Sequence, residues 1–222
     1  MVSTPHLEAL VEETDLARSN PREATRAQGV PCPYPKELVE RVIIAGARTL
    51  VLRPIRAEDE EKLLTFHSHL SPDSIYCRYF SFHPELSGEE TYHLTHVDYD
   101  DRLALVFEDG DDLVGVARYE RYPGTNDAEA AFVVRDDYQH LGLGHRLFAR
   151  LAAAAWARGV TTFTAETLCR NHDMLAVFRH SGFPLTSSVS AGEISVRISL
   201  DPREFGDSTR TVSSVMRDHP WS

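Results

Sequence analysis

Lysine is almost missing from this chain. Lys36 and Lys62 are the only two, and 23 Lys and Arg stand against 34 Asp and Glu, for a formal net charge of −11. Nucleic-acid phosphates are neutralised by a surplus of cations, so this balance excludes a general nucleic-acid binder. Cysteine is scarce as well: Cys32, Cys77 and Cys169 are odd in number and form no CxxC pair. That excludes a disulfide framework and a thiolate zinc site, and it fits a reducing cytoplasm. The 11 histidines are scattered, without an HExxH or another ligand spacing, so no metal is expected. Long apolar runs are absent too. The segment LAAAAWA is far shorter than the roughly 20 residues that span a bilayer, and MVSTPHLEALVEETDLARSN lacks the basic start and apolar core of a signal peptide. A soluble, intracellular protein with neither a nucleic-acid nor a membrane partner is expected. With 222 residues, 42% of them hydrophobic, it can form one globular domain with some extra length.

What is present is an alternation of strand and helix patterns. Three prolines within PCPYP bar helix and interior strand, so residues 1–45 read as an arm and linker, 46–202 as the domain, and 203–222 as a polar tail. In the tail, Val212, Met216 and Trp221 could dock. RTLVLRPI reads as a strand, AEDEEKLLTFHSHL as a helix whose acidic first turn complements the dipole, and PDSIYCRYF as a short second helix. RLALVFED and DLVGVARYERY flank Gly110-Asp111 as an antiparallel hairpin. AEAAFVV follows as a strand, and the long helix after it ends at Gly159. Then come the strand TTFTAET, a helix over residues 171–181 stopped by Gly182, and a last strand pair around SSVS and EISVRISL. This order predicts an α/β fold with a mixed sheet and helices on both faces.

Gln139-His140-Leu141-Gly142-Leu143-Gly144 lies between the strand AEAAFVV and the long helix. Amides at a helix start point outward unpaired, and glycine lets a ligand approach them. Such a turn is an anion site. An amide bonded to a charged oxygen is worth about 1.5–3 kcal/mol, and the helix dipole adds about 0.3–2 kcal/mol, so a pyrophosphate can be held without lysine. A Walker loop would need Gly-Lys-Ser/Thr here, and a dinucleotide fingerprint would need glycine at Leu147 and an early place in a parallel sheet. Glycines that merely shape the turn are the remaining alternative.

Gln139-x-x-Gly142-x-Gly144 matches the Q/R-x-x-G-x-G/A motif of the GNAT superfamily of acetyl-CoA-dependent N-acetyltransferases, and NHDMLAVFRHSGF resembles that superfamily's second cofactor motif. The resemblance covers about residues 49–200. Within it, LSPDSIYCRYF, THVDYDDRLALV and AEAAFVVRDDYQHLGLG look most like the acetyltransferase module of bacterial protein-lysine acetyltransferases. The resemblance implies the GNAT fold, a mixed and mostly antiparallel central sheet flanked by helices. It also implies acetyl-CoA as co-substrate, and a protein acceptor such as an acyl-CoA synthetase. The amides of Gln139, His140, Leu141, Gly142, Leu143, Gly144 and His145 would cradle the CoA pyrophosphate. Phe132, Val133, Val134 and Arg135 would pair with the pantetheine arm as with a neighbouring strand. Asn171 would bond the pantetheine, or serve only as a helix N-cap. His145, Arg146 and Arg150 would lie near the phosphates, unless Arg150 belongs to a solvated helix face.

The resemblance also points to the chemistry. A lysine amine with pKa near 10.4 must lose a proton before it attacks a thioester, at a cost of about 4.6 kcal/mol at pH 7. Glu129, ten residues before Gln139, has the spacing of a glutamate that lies near the acetyl group in many members. On a strand it shares a face with Ala131 and Val133, opposite Ala130, Phe132 and Val134. Glu129 is therefore expected as general base, directly or through water, and the Val133 amide as the donor to the thioester carbonyl. Phe178 stands where many members carry a tyrosine that protonates the leaving thiolate, so the general acid is unassigned. Tyr76, Tyr79, Tyr138 and His172 are conceivable substitutes or simply packing residues. Cys77 and Cys169 read as small core residues. The acceptor groove is expected between the PDSIYCRYF helix and the last strand pair, with Asp73, Asp98 and Asp100 as an acidic rim. Such a rim suits a lysine, a polyamine or an aminoglycoside; a silent acyl-CoA sensor is the reading outside catalysis.

Overall fold

Apolar residues on both faces of one strand demand a layer on each side, and LALVF is such a strand. In the computed structural model, which describes residues 32–204, Leu103, Leu105 and Phe107 enter one core while Ala104 and Val106 enter a second. The two cores lie on opposite faces of one sheet, as the two-residue period requires. Its strands are β1 (Glu40–Ile44), β2 (Arg48–Pro54), β3 (Arg102–Asp109), β4 (Asp112–Arg121), β5 (Asp127–Val134), β6 (Thr162–Leu168), β7 (Leu185–Ser190) and β8 (Glu193–Ser199). The spatial order is β1-β2-β3-β4-β5-β6-β8-β7, antiparallel throughout except for β5 with β6. The expectations for the N-terminal arm and for Val212, Met216 and Trp221 lie outside the described residues.

The first core is closed by α4 (Leu143–Trp156), whose Leu143, Leu147, Phe148, Leu151, Ala152 and Ala155 recur at helical spacing. Beyond Trp156 the helix stops as expected at Gly159. Gly159 has φ +82°, its N–H bonds the Trp156 carbonyl, and the Val160 N–H reaches back to Ala155. That pair of bonds satisfies the last carbonyls with a residue only glycine supplies cheaply. The second core takes Leu63 and Phe66 from α1 (Glu60–Ser68), with α2 (Pro72–Tyr79) and α3 (Gly88–Thr95) contributing Ile75, Tyr79 and Leu94. α5 (His172–Arg179) returns to the first core through Val177 and Phe178. Among the described residues no helix is long and apolar enough to cross a membrane.

Two elements were not expected from the pattern. β1, inside the 1–45 segment expected as arm and linker, is an edge strand that buries only Val42 of its apolar run Val42-Ile43-Ile44. α3 is a polar helix, held at its start by a capping box in which Ser87 Oγ accepts from the Glu90 N–H and the Glu90 carboxylate accepts from the Ser87 N–H.

The sheet opens at one place, and that opening positions the site. β5 and β6 pair only through Asp127–Thr162, Ala128–Phe163 and Glu129–Thr164. From there β6 continues with β8 alone. The gap is braced from below by aromatic rings: Phe178 of α5 stands 5.8 Å from Phe132 and 5.8 Å from Phe148, edge to face.

Candidate active site

The open edge of β5 has a definite polarity. At its ends, the Arg135 N–H bonds the Val114 carbonyl and the Tyr122 N–H bonds the Asp127 carbonyl, both at 3.0 Å. Between them the β4–β5 register runs without a shift, Val133 opposite Val116 and Glu129 opposite Glu120. In an antiparallel ladder the backbone groups of alternate residues point to the same neighbour. The Val133 amide is therefore engaged with β4, and Ala130, Phe132 and Val134 turn their backbone groups toward the gap. This corrects the expected role of Val133: a side chain leaves the sheet perpendicular to it, whereas the amide lies in its plane. The amides that face the gap on this edge are those of Ala130, Phe132 and Val134.

After β5 the chain makes a short turn through Asp136–Tyr138 and reaches Gly142, the N-cap of α4, at φ +78°. The first intrahelical bond runs from Arg146 N–H to the Gly142 carbonyl at 3.2 Å, so the amides of Leu143, Gly144 and His145 precede it, and no side chain caps them. A Cβ built on Gly142 meets no heavy atom within 4 Å, which leaves the approach to these amides open. Gly144 has a different reason. Its Cβ would stand 3.3 Å from Val177 Cγ2, so this glycine lets α4 and α5 pack closely. The Gln139 amide is not part of the cradle, because it already bonds the Asp136 carbonyl at 3.3 Å. Gln139 acts through its side chain, whose Nε2 donates to the Val134 carbonyl at 3.1 Å and to Ser74 Oγ at 3.3 Å.

These elements enclose a cavity of about 330 Å³, lined by α2, the end of β5, the glycine turn and α5. Phe132, Val133, Val134, Gln139, His140, Gly142, Leu143, Gly144, His145 and Asn171 all line it. Asn171 also caps α5, its Oδ1 accepting from the Met174 N–H at 3.1 Å. Three expected residues do not line it. Arg135 folds onto Asp137 at 2.6 Å, Arg146 pairs with Glu40 of β1 at 3.3 Å, and Leu141 is 39% exposed on the turn. Arg150 pairs with the same Glu40 at 3.1 Å, on the helix face away from the cavity lining.

A smaller cavity of about 50 Å³ adjoins the first, and Glu129 lines it together with Cys77, Arg78, Glu166 and Phe178. Cys77, Arg78, Phe132 and Met174 line both. Glu129 stands at the fork of β5 and β6 and is exposed to this space. Its cross-strand neighbour Glu120 is engaged by His93 at 3.1 Å and by Arg118 at 3.2 Å. Burial works to raise the Glu120 pKa, but the His93 bond and the charges of His93, Arg118 and Arg102 hold it below the usual carboxylate value. Glu129 makes no hydrogen bond or ion pair among the described residues, so of the two carboxylates it is the one free to take a proton.

A chain that unites this glycine cradle, this fork and a free carboxylate at the fork can be compared as a whole with known proteins, and the profile of the acetyltransferase (GNAT) family matches residues 71–183. The chain belongs to the GNAT acetyltransferase family. The acetyltransferase is 32% identical over 145 residues to an acetyltransferase of Pseudomonas aeruginosa, covering 64% of this chain and 77% of that one. It is 33% identical over 135 residues to acetyltransferase Pat of Mycolicibacterium smegmatis, covering 59% of this chain but only 40% of Pat. The solved GNAT domain of S. lividans PAT superposes with a TM-score of 0.71 at 31% identity, over 75% of this chain and 99% of that domain.

Other expectations about the acetyltransferase are revised by position. Asp73 lines the larger cavity and pairs with Arg170 at 2.7 Å, while Asp98 accepts the Asp100 and Arg102 N–H groups and, with Asp100, lines neither cavity. The acid beside Glu129 is Glu166 instead. Tyr138 lines the larger cavity but its hydroxyl is held by Asp109 at 2.7 Å, and burial raises its pKa first, with that bond adding to it. Tyr76, Tyr79 and His172 line neither cavity.

Asp136 was missed altogether. Its carboxylate accepts from the Ser71 N–H at 2.9 Å, Ser71 Oγ at 2.6 Å and Ser74 Oγ at 2.8 Å, and so ties the start of α2 to the glycine turn. Burial acts to raise its pKa, and these hydrogen bonds outweigh that and lower it. Its partners lie more than 60 positions earlier, and nothing local in the sequence announces such a pairing. Asp136→Ala is expected to cost about 1–3 kcal/mol of stability, the worth of hydrogen bonds to a charged group, and to weaken CoA binding by loosening one wall of the cavity. Urea unfolding and calorimetric titration with CoA check both; unchanged CoA affinity would remove Asp136 from the account of the site.

Proposed function

We propose that this protein uses acetyl-CoA to acetylate a lysine ε-amine on another protein. The residues present fit the cofactor. Three uncapped helix-start amides at Leu143, Gly144 and His145 suit a pyrophosphate, and the open Gly142 admits it. The free backbone edge at Phe132 and Val134 suits the amides of the pantetheine arm. When bound, acetyl-CoA supplies an activated acyl group. The chain's own part is to orient the acceptor amine and take its proton at the Glu129 carboxylate, directly or through water.

The observation that carries the choice of acceptor is the size of the space around Glu129. A cavity of about 50 Å³ has room for a few water-sized groups. It admits the tip of a lysine side chain, or the equally slim end of a polyamine, but not the body of an aminoglycoside, and the Glu129–Glu166 pair suits a cationic tip. The kinship with acetyltransferase Pat and with the S. lividans PAT domain points the same way. The test is acetyl-CoA-dependent thiol release with a purified acyl-CoA synthetase as acceptor, and spermidine in a parallel series. Release with the protein acceptor alone is expected. Release with spermidine alone would move the enzyme to small amines, and tight acetyl-CoA binding without release to either would favour an acyl-CoA sensor.

A further inference from the structure

Position 178 raises a question of charge. As the thioester is cleaved, the electron pair of the broken C–S bond stays on sulfur, and a negative sulfur in a partly buried cleft needs a compensating group. Phe178 cannot provide one. It is 2% exposed, packed against Phe132 and Phe148, and presents only ring carbon to the small cavity. Of the four residues that line both cavities, Phe132 and Met174 are apolar, Cys77 is a thiol, and Arg78 alone carries a charge.

Arg78 sits near the end of α2, half-buried. Its guanidinium lies over the Tyr79 ring, 5.1 Å from the centroid, and makes no ion pair among the described residues. The charged and titratable groups facing it are Arg118 from β4, Glu129 from β5 and Tyr79 on its own helix. Arg118 does not neutralise it; that guanidinium has a buried Nε with no hydrogen-bond partner. Burial lowers the pKa of Arg78, and the charge of Arg118 lowers it further. A cation held this way gains from any negative charge placed beside it.

We propose that Arg78 is the group that stabilises the leaving sulfur of CoA. This rests on the reading of the two cavities as an acyl-transfer site. Glu129 first passes the ammonium proton of the acceptor to solvent; the neutral amine nitrogen then forms its bond to the acyl carbon as the C–S bond breaks, and the second proton it loses goes to Glu129. The electron pair is left on sulfur next to Arg78, solvent later returns a proton to it, and Glu129 gives up its own to solvent. Acceptor amide and CoA thiol are the products. Such a division of labour, carboxylate on the amine side and guanidinium on the sulfur side, needs no tyrosine.

The experiment requires no acceptor. Free CoA is bound to the protein and its thiol titrated by thiolate absorbance, with the desulfo-CoA complex as blank so that Cys32, Cys77 and Cys169 cancel. At pH 7 the wild-type complex is expected to hold about tenfold more CoA thiolate than the Arg78→Met complex, one pH unit in the bound thiol. Arg78→Lys, which keeps the charge, should fall nearer to wild type, and all three should bind CoA within about threefold of each other. Equal thiolate fractions in wild type and Arg78→Met would overturn the proposal. If Arg78→Met does not fold, Arg78→Gln is compared with Arg78→Lys by the same criterion. Failure of the wild type to bind CoA would instead overturn the acyl-transfer reading beneath it.

Discussion

Glu129→Gln is expected to lower turnover by about 10²–10⁴-fold, the usual contribution of a positioned general base, while the Kd for acetyl-CoA stays within about twofold. The two halves of this expectation come from one geometric fact. Glu129 lines the small cavity and is absent from the lining of the large one. The substitution is close to isosteric and Glu129 has no hydrogen-bond or ion-pair partner to lose among the described residues, so the fold should tolerate it. A pH series separates base catalysis from positioning. Without a base the reaction depends on acceptor already deprotonated in solution, and an amine with pKa near 10.4 is then about tenfold more available at each higher pH unit. The residual rate of Glu129→Gln should climb accordingly from pH 7 to 9, and the wild-type rate should climb less. Thiol-release kinetics over that range with calorimetry for acetyl-CoA are the measurement. Wild-type turnover in the variant would end the base assignment and leave Glu120, already engaged by His93 and Arg118, as a poor successor.

What was legible in the sequence divides by the range of the interactions that set it. The hairpin at Gly110-Asp111, the helix stop at Gly159 and the Asn171 cap follow from local chemistry, and each stands where the pattern put it. The glycine turn was legible for the same reason, since positive φ at Gly142 and uncapped amides belong to one short segment. The separate purpose of Gly144 was not, because Val177 lies on another helix. Side-chain alternation on β5 correctly put Glu129 and Val133 on one face, yet it could not say which neighbour their amides address. That depends on the register with β4, fixed by contacts across the sheet. Arg146 illustrates the same limit. Its neighbours in sequence suggest phosphates, and its partner is Glu40, 106 positions away on the edge strand β1.

The largest expected loss of stability lies on the opposite sheet face from the cofactor turn's core, at Arg53. This residue is 4% exposed. It meets Asp59 through two hydrogen bonds of 2.6 and 2.8 Å and Glu108 through two of 2.9 and 3.1 Å, and Lys62 reaches Glu108 at 2.6 Å. Burial alone would lower the pKa of Arg53, but the bonds and charges of Asp59 and Glu108 outweigh it and raise it. Arg53→Met leaves the buried Asp59 and the partly buried Glu108 without their shared cation, for which about 3–5 kcal/mol is the usual cost of breaking a buried pair, against a total stability of about 5–15 kcal/mol for a domain. A pH signature accompanies it. The Arg53 hydrogen bonds, opposed by burial and helped by Lys62, depress the Glu108 pKa from 4.5 to about 2. A depressed carboxylate stabilises the fold fully above its unfolded value and loses that stabilisation as pH falls through the folded one. From pH 6 downward the wild type should therefore hold its stability to about pH 5 and lose about 3 kcal/mol between there and pH 2 from this group. In Glu108→Gln that component is absent, so its pH dependence should be shallower. Urea unfolding at pH 6, 5, 4 and 3 on wild type, Arg53→Met and Glu108→Gln measures all of this. A loss below about 1 kcal/mol in Arg53→Met at pH 6 would mean that the two acids find other partners.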